Sequence, residues 1–218
     1  MIKVFATDIT EITPEGSERL YASLPGWRRE QLCRITNTKQ KMLSAGAGFL
    51  LAPALGVFGI NALSARVCIG EFGKPYLPDY PDVHFSLSHS GDMAMCAVAD
   101  SPVGCDIQKL PEQSSQLSAA VAKRFFTPEE YEKVIDSADQ GTQFTRLWVM
   151  KESYVKYLGT GIYGCPLNSF EIYGEPPRLS AECSLCPKFP QFREYTLRGH
   201  LAAVCCEQAP GDIDIIHI

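Results

Sequence analysis

Chemistry-bearing side chains cluster in a few short stretches of this 218-residue chain. Lys151, Glu152 and Lys156 lie in the run Phe144-Thr-Arg-Leu-Trp-Val-Met-Lys-Glu-Ser-Tyr-Val-Lys-Tyr-Leu158. Asp106 and Gln108 flank Ile107, and a strand's two-residue period puts the carboxylate and the amide on one face with Ile107 on the other. Ser88 and His89 end the stretch Val83-His-Phe-Ser-Leu-Ser-His-Ser-Gly91. Gly73-Lys74-Pro75 offers an isolated cation on a path fixed by glycine and proline. Arg28, Arg29, Arg34, Lys39 and Lys41 form the densest cationic cluster of the first half, a candidate for holding phosphate. Glu152 four residues before Lys156 is, taken alone, an ordinary helical pair worth about 0.2 to 0.5 kcal/mol. Ser88 beside His89 does not suggest a hydrolase triad, because strand neighbours point to opposite sides and no G-x-S-x-G elbow occurs. His84 and His200 have no companion pattern and read as structural.

These residues need elements to hold them. Phe144, Leu147, Trp148, Tyr154, Val155 and Leu158 recur at helical spacing, and Gly159 and Gly161 supply a stop, so residues 144–158 are expected to form a buried amphipathic helix. Lys151 then projects near the middle of the apolar stripe, where a buried lysine needs a partner carbonyl or carboxylate. Strands are expected at 3–9, 83–91, 93–99 and 103–108, with further strand-like pieces at 169–173, 194–197 and 201–205. A helix is expected at 118–126, and Thr127-Pro128-Glu129-Glu130 starts another with a capping box that gives Glu130 a complete structural explanation. From Met42 to Ala65 no residue is charged. Pro53, Asn61 and four glycines dilute that stretch below what a membrane span needs, so a buried helix broken near Pro53 is expected. Residues 175–190 read as a long excursion between strands. Lys3-Val-Phe-Ala-Thr-Asp-Ile9 echoes Pro102-Val-Gly-Cys-Asp-Ile107, which points to an α+β fold of two similar halves, residues 1–102 and 103–218, with a cleft between them.

A formal net charge of −5 argues against general nucleic-acid binding, since neutralising phosphates takes a basic surface. Met1-Ile-Lys-Val-Phe5 opens like a strand and not like a signal peptide, which makes the cytoplasm the expected compartment. Nine cysteines are too sparse and irregular for a disulfide framework. Cys183 and Cys186 form a C-x-x-C, but Cys205 and Cys206 are adjacent and do not supply the usual second half, so buried thiols are expected ahead of structural zinc.

Four blocks, Phe85-Ser-Leu-Ser-His-Ser-Gly91, Val103-Gly-Cys-Asp-Ile107, Arg124-Phe-Phe-Thr-Pro-Glu-Glu-Tyr131 and Trp148-Val-Met-Lys-Glu-Ser-Tyr-Val-Lys156, resemble in order and spacing the surfactin-synthetase-activating type of 4'-phosphopantetheinyl transferase. The resemblance covers most of the chain. It implies a monomeric pseudo-twofold α+β protein with the active site between its halves, coenzyme A contacts in 1–102, and a metal site and catalytic helix in 103–218. It implies transfer of the phosphopantetheine arm of coenzyme A to a serine of an apo acyl or peptidyl carrier protein, with release of adenosine 3',5'-bisphosphate. Magnesium, or manganese in its place, would be held by Asp106 and Glu152, suitable oxygen ligands for a cation drawing charge from a diphosphate. Gln108 stands where well-known members carry a metal-binding glutamate and is kept as a third ligand through its carbonyl or a water. The resemblance further implies that Lys156 contacts the coenzyme phosphates, that Lys74, Ser88 and His89 hold the nucleotide and its 3'-phosphate, and that Arg28 and Lys41 add first-half contacts. Gln31 and Met42 depart from the family's basic pattern there. Glu152 is the expected base toward the carrier serine, with Glu130 as the family-position alternative. Carriers of this kind are acidic, so Lys123 and Arg124 are docking candidates. The neutral Gln108 motivates a second expectation, a catalytically weakened coenzyme A and carrier-binding module, and Cys183 and Cys186 a third, a zinc or redox protein.

Overall fold

The computed structural model describes residues 1–111, 116–180 and 190–217. In chain order it contains β1 (Ile2–Asp8), α1 (Pro14–Ala22), α2 (Gly26–Cys33), α3 (Thr38–Phe49), α4 (Leu51–Gly56), β2 (Cys68–Ile69), β3 (Pro75–Tyr76), β4 (His84–Ser90), β5 (Met93–Ala99) and β6 (Val103–Lys109). Then come α5 (Gln116–Phe125), α6 (Pro128–Ile135), α7 (Gln140–Leu158), α8 (Gly161–Gly164), β7 (Ile172–Tyr173), β8 (Arg178–Leu179), β9 (Gln191–Leu197), β10 (His200–Cys206) and β11 (Ile213–Ile215). The α+β class is therefore observed.

Two sheets make the centre. One has strand order β11-β1-β5-β4 and the other β6-β10-β9. Alternation along the strands decides which layer each residue meets. Met93, Met95, Ala97 and Ala99 of β5 meet Val103, Cys105, Ile107, Ala202, Val204 and Cys206 in a core between the sheets. Cys96 and Val98 face outward with Phe5 and Phe85 onto Leu50, Leu51, Ala54 and Leu55 around the α3–α4 junction. Leu201, Ala203 and Cys205 face the other way, onto Leu147, Met150 and Tyr154 of α7. The layers thus run helices, sheet, sheet, helix. β5 is buried along its whole length because it is central in its sheet and covered on both faces.

Three differences from the sequence expectation have local causes. Helix α7 begins at Gln140 and not near Phe144, because the Asp139 side chain accepts the Thr142 N–H at 3.0 Å and caps it. The uncharged stretch breaks at Leu50, ahead of Pro53, since a proline ring clashes with the carbonyl four residues before it, here that of Phe49. The first sheet is also not built from the first half of the chain alone: β11 lies parallel to β1, pairing Val4 with Ile213 and Ala6 with Ile215. Ile216 N–H extends that pairing to the Ala6 carbonyl at 2.8 Å.

Candidate active site

Helix α7 lies directly on β6, and Gly104 is what permits it. A Cβ at Gly104 would sit 1.9 Å from the Ser153 carbonyl oxygen and 2.3 Å from Tyr157 N, so only glycine fits. This close approach brings Asp106, two residues on and on the same face, beneath Lys156. The Lys156 amine lies 2.6 Å from Asp106 Oδ1 and 3.1 Å from Ser88 Oγ. Burial alone would lower the Lys156 amine, but Asp106, with help from Glu152, leaves it above the ordinary lysine value. Glu152, one helical turn back, has its carboxyl pushed up by burial, with Asp106 adding to the rise and Lys156 opposing it.

The other edge of β6 is joined to β4 by side chains. Ser86, Ser88 and Ser90 share one face of β4 at the strand period, and their hydroxyls accept the N–H groups of Cys105 (3.1 Å), Ile107 (3.3 Å) and Lys109 (3.1 Å). Each serine thus supplies the acceptor that a neighbouring strand's carbonyl would otherwise provide. The same hydroxyls orient the polar face: Ser88 donates to Asp106 Oδ1 at 2.7 Å, and Ser90 donates to Gln108 Oε1 at 3.0 Å. Gln108 Nε2 in turn donates to Asp106 Oδ2 at 3.2 Å. The expectation of alternating faces around Ile107 is met, but the Gln108 carbonyl is engaged by Ser90.

Arg28 approaches from α2. Its Nη2 donates to the Ser44 carbonyl at 2.6 Å and to Ser44 Oγ at 3.0 Å, and its Nη1 to Gln31 Oε1 at 2.9 Å. None of these partners is charged, and burial lowers even this guanidinium to about 10. Burial, together with Arg28 and Lys156, also holds the His89 imidazole below its ordinary value.

These groups line one groove made of two connected cavities. The first, about 400 Å³, is walled by Arg28, Ser88, His89, Asp106, Gln108, Trp148, Glu152 and Lys156. The second, about 360 Å³, shares Arg28, Leu87, Glu152 and Lys156 and adds Trp27, Gln31, Phe72, Lys74 and Ile162. The structure therefore gathers seven sequence-identified candidates in one cavity. Lys74 borders the neighbouring one, where its amine donates to the carbonyls of Val103 (2.9 Å), Lys156 (2.5 Å) and Tyr157 (3.2 Å).

Lys41 and Glu130 line neither cavity. The Lys41 amine sits 5.9 Å from the Tyr21 ring centroid, on the α1 side of α3. Glu130 is fully buried. Its Oε2 accepts the Thr127 N–H at 3.0 Å and pairs with Lys151 at 2.7 Å, while Oε1 accepts the Ile172 N–H at 2.9 Å. Lys151, also fully buried, completes its bonding on the Leu167 and Phe170 carbonyls at 2.7 and 2.6 Å. Burial lowers its amine and Glu130 partly offsets that.

Among the described residues no group of three or more His, Cys, Asp or Glu side chains could hold a metal ion. The third position at the groove is Gln108. What the groove offers a cation is two carboxylates, Asp106 and Glu152, on facing elements, an oxygen set that suits magnesium completed by waters. Cys183 and Cys186 lie outside the described residues. Cys205 and Cys206 face opposite sides of β10, one toward α7 and one between the sheets, so they do not share a ligand site. Sequence reasoning passed over Ser44, which anchors Arg28, and Ser86 and Ser90. The serines at every second position of β4 were the available signal.

Residues 102–205 match the family model described as the 4'-phosphopantetheinyl transferase superfamily. A 4'-phosphopantetheinyl transferase of Bacillus subtilis is 33% identical over 175 residues, 78% of this chain and 76% of its own length. Another from the same species is 30% identical over 213 residues, covering 94% and 92%. One from Bacillus pumilus is 43% identical over 155 residues, covering 67% and 62%. The two Bacillus subtilis relatives are at least 30% identical and are each covered over more than two thirds of their own length, and on these grounds the chain belongs to the 4'-phosphopantetheinyl transferase superfamily.

Proposed function

We infer that this chain transfers the 4'-phosphopantetheine arm of coenzyme A to a serine of an apo acyl or peptidyl carrier protein, releasing adenosine 3',5'-bisphosphate. The observation that carries this reading is the groove itself, where Arg28, with no charged partner among the described residues, and Lys156 stand around the carboxylates of Asp106 and Glu152. Cations desolvated in this way favour a multiply charged phosphate ligand over a neutral one. Asp106 and Glu152 are the residues that would hold the metal, read as magnesium. That ion, when bound, would neutralise charge on the diphosphate oxygens.

The remaining work falls to side chains. Lys156 and Arg28 bind the phosphates, and Ser88 and His89 face the same space for the nucleotide end. The serine oxygen of the carrier forms a bond to the pantetheine-side phosphorus while the bond from that phosphorus to the bridging oxygen breaks, and the bisphosphate leaves with the electron pair. The serine proton goes to Glu152, whose carboxyl pKa, raised by burial, makes it a stronger base than an ordinary carboxylate. Glu130 is assigned to structure, since both of its oxygens are engaged. Gln108 is assigned to orienting Asp106 through its amide N–H.

The strand orders β1-β5-β4 and β6-β10-β9, each an antiparallel set flanked by a long helix, support reading residues 1–102 and 103–218 as two halves related by a pseudo-twofold, with β11 crossing from the second to the first. No helix among the described residues is long and apolar enough to cross a membrane. We read the protein as a cytoplasmic monomer. Incubation with coenzyme A, magnesium and a panel of apo carriers tests the function: a mass gain of one phosphopantetheine on a carrier is expected, and binding without transfer across the panel would overturn it.

A further inference from the structure

Lys74 sits in a two-stranded hairpin formed by β2 and β3, where Cys68 pairs with Tyr76 and Ile69 with Pro75. Its tip is closed by the Gly70 N–H on the Lys74 carbonyl and by Gly73 at φ 85. The hairpin carries Ile69 and Phe72, both half exposed, into the wall of the second cavity. Phe72 lies against Gly161 and Gly164, where added Cβ atoms would come within 3.5 and 3.6 Å of it.

An ammonium group has three N–H donors. Those of Lys74 meet three backbone carbonyls, one at the start of β6 and two in the last turn of α7. Carbonyls in the last turn of a helix have no intrahelical partner and carry the negative end of its dipole, so a cation there acts as a cap. No donor is left over for a phosphate oxygen. The lysine stem also packs on Gly159, the left-handed residue that ends α7, where a Cβ would be 3.1 Å from Lys74 Cδ.

We propose that Lys74 is a positioning residue, whose ammonium ties the 68–76 hairpin to the end of α7 and the start of β6 and so builds the coenzyme groove without touching the coenzyme. Through the Lys156 carbonyl the same tie fixes the backbone of the residue that reaches Asp106. The inference rests on the coenzyme A reading of the groove.

Trace acetylation of the native protein with acetic anhydride, with and without coenzyme A, tests it without any substitution. Lys74 is expected to be equally unreactive in both samples while exposed Lys3 labels freely. A Lys74 that labels like Lys3 in the free protein and is shielded only by coenzyme A would overturn the proposal. In Lys74→Met the KM for coenzyme A and for 3'-dephospho-coenzyme A is expected to rise by the same factor, about tenfold, with kcat falling less than KM rises. Amide exchange at residues 68–76 is expected to quicken in the ligand-free variant. A loss confined to coenzyme A, or unchanged hairpin exchange, would place the amine on a phosphate and overturn the proposal. If the variant does not fold, the labelling result decides alone. Native protein that binds no coenzyme A overturns the functional reading instead, and leaves the labelling to decide the tie.

Discussion

Asp106 and Glu152 are the two groups in the groove whose removal is most informative. Each is placed by backbone contacts that do not depend on its carboxylate, Asp106 by the β6 ladder and Glu152 by the interior of α7. Asp106→Ala and Glu152→Ala are each expected to lower turnover by at least about a hundredfold, Glu152→Ala with a melting temperature near that of the parent chain and Asp106→Ala with a lowered one, because it leaves the Lys156 amine without its carboxylate. Near-normal transfer by either variant refutes its assignment.

At the scale of elements, the seam between β6 and its neighbours sets the site. Gly104→Ala must push α7 off β6 or bend the strand, an overpacking that costs about 3 kcal/mol or more. The expected outcome is a large fall in melting temperature together with weakened magnesium binding, because Asp106 and Glu152 are carried apart; an unchanged melting temperature would contradict the packing described. Ser86→Ala leaves the buried Cys105 N–H without its acceptor and should cost about 1 to 3 kcal/mol in thermal or denaturant unfolding. Some of this organisation is legible in the residues alone. The Thr127–Glu130 capping box, the fully apolar β5 and the alternation at Asp106-Ile107-Gln108 are local signals, written in a few consecutive positions. The start of α7 was harder to read because Asp139 looks like part of a loop until its cap is seen. The bonds of Lys74 to the Val103, Lys156 and Tyr157 carbonyls and those of the β4 serines to the β6 N–H groups were not legible, since these partners are backbone groups whose proximity depends on the packing of elements far apart in sequence. A side chain announces its donors and acceptors, but a carbonyl announces nothing about who will come near it.

The whole molecule is held as layers, with one core between the sheets and a helical layer outside each. The segment leading to β11 is fastened by β9, where Arg193 donates to the Pro210 carbonyl and Tyr195 OH to the Gly211 carbonyl, both at 2.7 Å. Replacing both residues, as Arg193→Ala with Tyr195→Phe, should speed amide exchange in β1 while the amides of α7 keep their protection; uniform change across both would mean that the strap is not an independent unit. The pairing of β1 with β11 joins residues about two hundred positions apart, and so bears on how the chain is made as well as how it stands. The sheet begun by the first strand has to wait, with a bare row of backbone donors and acceptors, until residues 213–215 have been synthesised. During that interval the edge of the first strand is open to pairing with another nascent chain.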